Sequence, residues 1–431
     1  MKFSNKTFYK RHNIELQRYL TSEDSLHIIN INSKKKIKEE LSEKLYLLID
    51  DEKDLNINVG ERKYETIVLT DVVEVVDDVY SLISVLKNLL KPNGKLIITS
   101  VNTKYYFFIK LLEILRLKDK NITYSYIHNK KIKNIASGVG FEFVNTSSKQ
   151  IFPFNFFGFG KLFNKILEII FFKFDLGIKT YSVFRLKAAE IINNKKTIII
   201  PAKNEEGNLK ELVSRIPKFE DCEIIISCGV SRDKTIEVAE KIKKQNNFFD
   251  IKVISQSGNG KANAIWEALE FTTGDIISIL DADISVEPET LTYFFDIVEN
   301  NHADFVNGTR LIYEMEPGSM KFINKLGNRL FQFLISQVTR TNLTDSLCGT
   351  KVFKKSLIPK IFWWQRTFGL KDPFCDFDLI FTASYTGQKI LEYPVHYKTR
   401  TYGQTQISRF KDGYKLINYF VRSFALFNSS R

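Results

Sequence analysis

Ile276–Asp283 reads Ile-Ile-Ser-Ile-Leu-Asp-Ala-Asp, an apolar run that stops in two acidic residues one position apart. In an extended chain alternate side chains point the same way. Asp281 and Asp283 are therefore expected at one strand tip, converging on one ion or on one ion and a ribose. Hard carboxylate oxygens suit Mg²⁺ or Mn²⁺, which keep several waters and take a diphosphate opposite the protein. Aspartate after a strand also starts turns and caps helices, so the reading depends on the segments around it.

Working outward, Lys196–Glu206 is a short β-branched strand that is expected to break at Pro201 and hand over to polar residues, with Leu209, Leu212, Val213 and Ile216 spaced as a helix. Ile224–Ile226 is a second strand, running into Ser231, Arg232, Asp233 and Thr235, which carry turn and helix-start chemistry. Ser257-Gly258-Asn259-Gly260-Lys261 is a glycine-rich loop before a helix over 262–271, and a helix N-terminus with a lysine favours an anion. The repeated order strand, loop, helix predicts a largely parallel sheet covered on both faces. Ligands of such sheets collect outside the carboxyl ends of the strands, where Asn204, Glu205, Ser231, Lys261, Asp281 and Asp283 would all lie.

These residues resemble family 2 glycosyltransferases of the GT-A fold, in the dolichyl- or polyprenyl-phosphate sugar synthase branch, from about Lys195 to Leu416. Ile199–Leu209 resembles the family's opening strand and donor contact, and Gly260–Ala264 its Gly-Lys-Gly-x-Ala loop. Asp281-Ala282-Asp283 is similar to its metal motif, and Val306–Arg310 to Val-x-Gly-Ser-Arg. Asp345–Lys351 resembles Asp-x-x-Ser-Gly-Phe-Arg, and Glu392–Val395 through Arg400, Tyr402, Gly403 and Thr405 the closing segment. Cys228-Gly229-Val230-Ser231-Arg232-Asp233 departs from the pattern by lacking the acidic group on the base side, which leaves the base open.

The resemblance implies transfer of one sugar from a nucleotide diphosphosugar, with inversion, to a polyprenyl phosphate or another envelope glycan or lipid acceptor. Pro201, Ala202, Asn204, Glu205, Ser231, Asp233, Lys261 and Asp281 would contact the donor, and Asp281 and Asp283 the metal. Arg310, Lys351 and Arg400 would take phosphates. Pro373–Asp378 offers two carboxylates at strand-like alternation; Asp376 is the chosen general base for a hydroxyl acceptor, with Asp378 the alternative. A lipid phosphate is already an anion and needs no base.

Residues 1–190 are patterned differently, which puts a boundary near 188–195 and a second domain at 195–431. Tyr64–Asp71 is a buried strand, Tyr80–Leu90 an amphipathic helix, and Leu90-Lys91-Pro92-Asn93-Gly94 a helix stop and turn before another strand. This resembles the second half of a class I S-adenosylmethionine-dependent methyltransferase, with Gly138–Glu142 and Thr180–Leu186 at its end. The stretch Leu26–Lys36, where that fold needs a glycine-rich turn, holds no glycine and a lysine run instead. Asp50 stands where a ribose-binding acid would. The domain is read as degenerate, with S-adenosylmethionine not expected as a cofactor. The fold class expected is therefore α/β in two domains, an N-terminal Rossmann-like methyltransferase fold and a C-terminal GT-A nucleotide-diphospho-sugar transferase fold. Two rivals remain, a working methyltransferase and a non-catalytic sugar-nucleotide-binding scaffold.

At 431 residues the chain can bury two cores. Its four cysteines lack metal-ligand spacing, and reduced, mostly buried thiols are expected. The net charge of +13 comes without a nucleic-acid-binding motif, so nucleic acid is not the expected partner. Ile151–Phe174, with nine phenylalanines beside Lys161, Lys165 and Lys173, and Arg409–Phe427 suit an anionic membrane surface or an interdomain core equally. No segment has spanning length and no signal peptide is seen, so the expected location is cytoplasmic, peripheral on the membrane face.

Overall fold

The computed structural model describes residues 5–20, 24–30, 46–49, 62–76, 78–114, 127–152, 159–171, 174–187, 195–313, 316, 322–341, 343–369, 374–400, 402 and 409–428. Asp50, most of the glycine-free lysine run, Pro373, Gly403 and Thr405 lie outside these residues. The chain divides into two compact units, Met1–Ala189 with Ala425–Arg431, and Glu190–Phe424.

The first unit holds helix α1 (Asn5–Gln17), strands β1 (Ser25–Asn30), β2 (Tyr46–Ile49) and β3 (Tyr64–Thr70), helix α2 (Val79–Asn88), strand β4 (Leu90–Val101), helices α3 (Tyr106–Ile114) and α4 (Asn129–Val139), strand β5 (Phe141–Lys149), helix α5 (Gly160–Ile170) and strand β6 (Lys179–Leu186). Its sheet runs β2-β1-β3-β4-β6-β5, with β6 antiparallel to both neighbours. Every residue of β3 except Glu65 is buried, as expected of a central parallel strand covered on both faces. Asp78 caps α2 by accepting the Tyr80 and Ser81 N–H groups at 2.9 and 3.0 Å. The helix ends at Asn88, not Leu90, because Leu90 already pairs with Tyr64. The expected turn is instead a bulge inside β4: the register jumps from Leu90 to Lys95, and Asn93 takes φ +64°.

Beyond β3, Asp71 and Lys179 form a buried ion pair, and the Glu74 carboxyl accepts the Val101 N–H at 2.7 Å. Lys149, 5% exposed, donates to the Phe427 carbonyl, and the Arg18 guanidinium lies 5.9 Å over the Phe427 ring.

The second unit contains β7 (Lys196–Ala202), α6 (Leu209–Arg215), β8 (Cys222–Cys228), α7 (Thr235–Gln245), β9 (Asp250–Ser255), α8 (Lys261–Glu270), β10 (Ile276–Ile279), α9 (Leu291–Glu299), β11 (Phe305–Thr309), α10 (Phe322–Thr339), β12 (Lys351–Lys354), α11 (Ile358–Phe368), α12 (Asp376–Tyr385), β13 (Ile390–Pro394) and, up to Phe424, α13 (Arg409–Asn428). The sheet order is β13-β11-β12-β10-β7-β8-β9, parallel throughout except β12. The strand through Pro201 does not break there. Its β10 neighbour has already ended opposite Ile199, so the missing proline N–H costs no ladder bond on that side. Ile198, Ile200, Ile224, Ile226, Leu212 and Phe294 anchor one core. All four cysteines are buried and none is in a disulfide. Among the described residues no helix is long and apolar enough to cross a membrane.

Candidate functional site

Strand β10 stops at Ile279, and Asp281 and Asp283 sit in the turn that follows. The expected shared orientation of an extended tip is therefore lost. Asp283 Oδ1 accepts the Ser285 N–H and Oγ–H at 3.0 and 2.6 Å, and Ile284 takes φ +55°. Each carboxylate faces its own cation: Asp281 Oδ1 is 2.6 Å from Lys261 Nζ, and Asp283 Oδ2 is 2.7 Å from the Arg400 guanidinium. Lys261 is the first residue of α8, where Gly260 at φ +90° turns the chain into the helix. Arg400 is aimed by a short antiparallel run in which Val286 pairs with Tyr397 and Lys398 N–H donates to Ser285 O at 2.9 Å.

Burial pulls Lys261 down, but Asp281 and Asp376 outweigh it and hold its pKa above the ordinary range. Burial would raise Asp281, yet Lys261, Lys351 and Arg400 together hold its carboxyl low. Glu205 behaves oppositely. Burial pushes it up to about 7 against the hydrogen bond from Asn208, and the negative charges of Asp283 and Asp281 add to the rise. Five charged groups from four chain segments thus meet beyond the carboxyl ends of β7 and β10.

Asn204, Ser231 and Asp233 lace the loops after β7 and β8 together. Asn204 N–H donates to Ser231 Oγ at 3.1 Å, Asn204 Oδ1 accepts the Arg232 N–H at 2.7 Å, and Asp233 Oδ2 accepts the Glu206 N–H at 3.2 Å. Asp233 also accepts the Thr235 N–H at 3.1 Å, starting α7. Pro201 and Ala202 end β7 beneath this lacing.

Arg310 and Lys351 are inside the protein. Arg310 grips Asp345 in two bonds of 2.7 and 3.0 Å and lies 5.0 Å over the Tyr397 ring. Asp345 also accepts Asn328 Nδ2 at 2.6 Å, and burial is outweighed by Arg310, so its pKa falls to about 2. Lys351, wholly buried, is 2.8 Å from Asp376 and donates to Cys348 O.

Asp376 and Asp378 open helix α12 and do not alternate along a strand. Phe377 between them is also fully buried, so burial on every side hides the helical period. Asp378 accepts the Tyr419 hydroxyl and Gln365 Nε2, the latter at 3.0 Å, which joins α12 to α13 and α11.

Three contributors escaped sequence reading: Asn328, which tethers α10 to Asp345 and Ser346; Tyr419, which joins Trp364 to Asp378; and Gly349. A Cβ on Gly349 would overlap the Asp281 carboxylate and come within 2.5 Å of Lys261 Nζ. The glycine and both neighbours lay within quoted motifs, but their proximity across space did not show in the sequence.

Among the described residues no three His, Cys, Asp or Glu side chains are arranged to hold a metal by themselves. The donor chemistry nonetheless fits Mg²⁺ or Mn²⁺, which is commonly held by one or two carboxylates plus substrate phosphates. Asp281 and Asp283 are such a pair, each balanced here by a cation from another segment.

Residues 197–362 match the protein-family model for glycosyl transferase family 2, and residues 14–146 match that for a methyltransferase domain. A low-salt glycan biosynthesis hexosyltransferase of Haloferax volcanii is 26% identical over 232 residues, 52% of this chain and 52% of its own length. A dolichyl-phosphate hexose transferase of the same organism is 26% identical over 217 residues, 50% of this chain and 88% of its own. The chain thus spans about half the length of the first relative. The structure of glucosyl-3-phosphoglycerate synthase from Mycobacterium tuberculosis is 16% identical and covers 54% of this chain and 78% of its own, with a TM-score of 0.41, a likeness that carries no argument.

Proposed function

We propose that the family 2 glycosyl transferase domain at residues 197–362 moves one sugar from a nucleotide diphosphosugar to a lipid phosphate, with inversion at the sugar carbon. The observation that carries the reading is the pair of carboxylate–cation contacts, Asp281 with Lys261 and Asp283 with Arg400, at the ligand end of a mostly parallel sheet. The dolichyl-phosphate hexose transferase relative supports the acceptor class.

An acceptor phosphate oxygen attacks the anomeric carbon as the bond to the donor diphosphate breaks, and the electron pair leaves on the nucleoside diphosphate. Lys261 and Arg400 take up that growing negative charge. A divalent ion held by Asp281 and Asp283 would add further neutralisation when bound. Arg310 and Lys351 act from within ion pairs, fixing the 345–351 segment against the site. An anionic acceptor needs no base; for a hydroxyl acceptor Asp376 is the candidate. The N-terminal unit is read as a degenerate methyltransferase domain that serves as scaffold, acceptor-binding module or membrane contact.

The test is a thermal-shift panel of nucleotide sugars with and without Mg²⁺ or Mn²⁺, with S-adenosylmethionine as a separate arm, followed by turnover with polyprenyl phosphate. A ligand at about 100 times its Kd adds roughly 2.7 kcal/mol, which is readily seen. One donor should stabilise the wild type in a metal-dependent way and lose that effect in Asp283→Ala. Stabilisation by S-adenosylmethionine alone would move the chemistry to the N-terminal unit.

A further inference from the structure

Helix α5 is built the wrong way round for a soluble protein. A surface helix normally turns its apolar stripe inward. Here, among the described side chains, Asn164 and Glu168, four residues apart, are buried, at 0% and 3% exposure. Asn164 donates to Glu168 Oε1 at 2.8 Å and accepts the Phe152 N–H at 2.9 Å, while Glu168 Oε1 accepts the Gln150 N–H at 2.6 Å. These bonds fix the rotation of the helix about its axis. Leu162, Ile166 and Ile170, spaced four apart, are left in solvent.

Helix α3 also carries an exposed apolar stripe. Phe107 is 80% exposed and Ile114 70%, with Leu111 exposed between them, one stripe at i, i+4, i+7. The segments that flank the two helices are tied together. Asn102 Nδ2 donates to the Asp175 and Gly177 carbonyls at 2.8 Å each, and Lys104 Nζ to the Phe174 carbonyl at 2.7 Å, which ties the entry of α3 to the exit of α5.

We infer that these two exposed apolar stripes dock the N-terminal unit on the surface of an anionic lipid bilayer. Two observations select that occupant. The helices have 9 and 11 residues, so each spans about 14 to 16 Å, too short to cross a bilayer but suited to lying in its interface. Among the described residues their exposed charge is cationic: Lys110 of α3 and Lys104 just before it are exposed, whereas Glu168 of α5 is turned inward. Anionic headgroups complement this rim. A second copy of a chain with net charge +13 would set like charges against each other. The inference deepens the lipid-acceptor reading by naming the membrane-contacting surface, but docking requires neither donor nor metal.

The experiment is flotation of the full chain with phosphatidylcholine vesicles, plain or containing about one-third phosphatidylglycerol, with no polyprenyl phosphate and no nucleotide sugar. The chain should float with the anionic vesicles. The combined variant Phe107→Ser, Ile114→Ser, Leu162→Ser, Ile166→Ser, Ile170→Ser, changed only at exposed positions and checked by circular dichroism, should bind at least about tenfold more weakly. Lys104→Glu with Lys110→Glu should erase the preference for anionic over neutral vesicles. Wild-type protein that stays in solution, or a five-site variant that floats as well as wild type, overturns the inference. A dimer by sedimentation that the five-site variant dissociates, without flotation, would give the face to a second copy. Sugar transfer can fail in either case without touching this result.

Discussion

Gly349→Ala separates site geometry from fold stability in one substitution. Gly349 is not among the residues at positive φ, so alanine meets no backbone objection. Its methyl would overlap the Asp281 carboxylate and crowd Lys261 Nζ at 2.5 Å. Both are side-chain ends and can swing away, which breaks the 2.6 Å ion pair. That pair is a quarter to a third exposed, so its loss costs about 1 kcal/mol after solvent screening, offset by about 0.4–1 kcal/mol from a stiffer unfolded chain. Global stability should therefore stay within about 1 kcal/mol of wild type in urea denaturation. Binding should suffer far more. A charge-assisted contact is worth about 1.5–3 kcal/mol, so displacing Lys261 or Asp281 should weaken a nucleoside diphosphate with Mn²⁺ by about 10- to 150-fold in titration calorimetry. Wild-type affinity in the variant would falsify the placement of the donor against these two residues. A stability loss above about 3 kcal/mol would refute the claim that only side-chain ends give way.

Glu74 gives a pH signature in the N-terminal unit: burial lifts its carboxyl to about 7. The unfolded chain releases that proton from about pH 4.5 upward while the folded chain keeps it, so this group should lower stability by about 3 kcal/mol between pH 4.5 and 7 and then level off; Glu74→Gln should remove that share of the slope, and an unchanged slope counts against the assignment. Arg310→Met leaves Asp345 buried without its cation and should cost about 3–5 kcal/mol; adding Asp345→Asn should recover part of it in a double-mutant cycle, and additive losses would show the two are uncoupled. Tyr419→Phe removes the donor to Asp378 and the acceptor of Trp364 Nε1, expected to cost about 1–3 kcal/mol and to shift tryptophan emission; no change in either argues that the buried triad is idle.

The parallel sheet was legible because its strands are unbroken apolar runs, Ile198–Ile200 and Ile224–Ile226, each followed by turn chemistry and a helical period. Asn204, Glu205, Lys261 and Asp281 could be placed at the strand ends for the same reason. What sequence reading missed is carried by contacts far apart in the chain. Arg310 reads as a free phosphate ligand until Asp345 and Asn328 are seen around it. Asp376-Phe377-Asp378 mimics a strand because the residues on both sides of its helix are buried. The turn at Asp281–Ile284 follows from a hydrogen bond between Asp283 and Ser285, a local competitor that the apolar run before it does not announce.

The bond from Lys149 to Phe427 has a consequence for the order of events during synthesis. Its two residues are 278 positions apart, with the whole of the second unit between them. At translation rates of about 5–20 residues per second the carbonyl appears roughly 15 to 55 s after the lysine. Through that interval the first unit can collapse but cannot close, and the buried ammonium lacks that partner. A nascent chain stalled before residue 425 should therefore be cut by protease within the first unit more readily than the released protein.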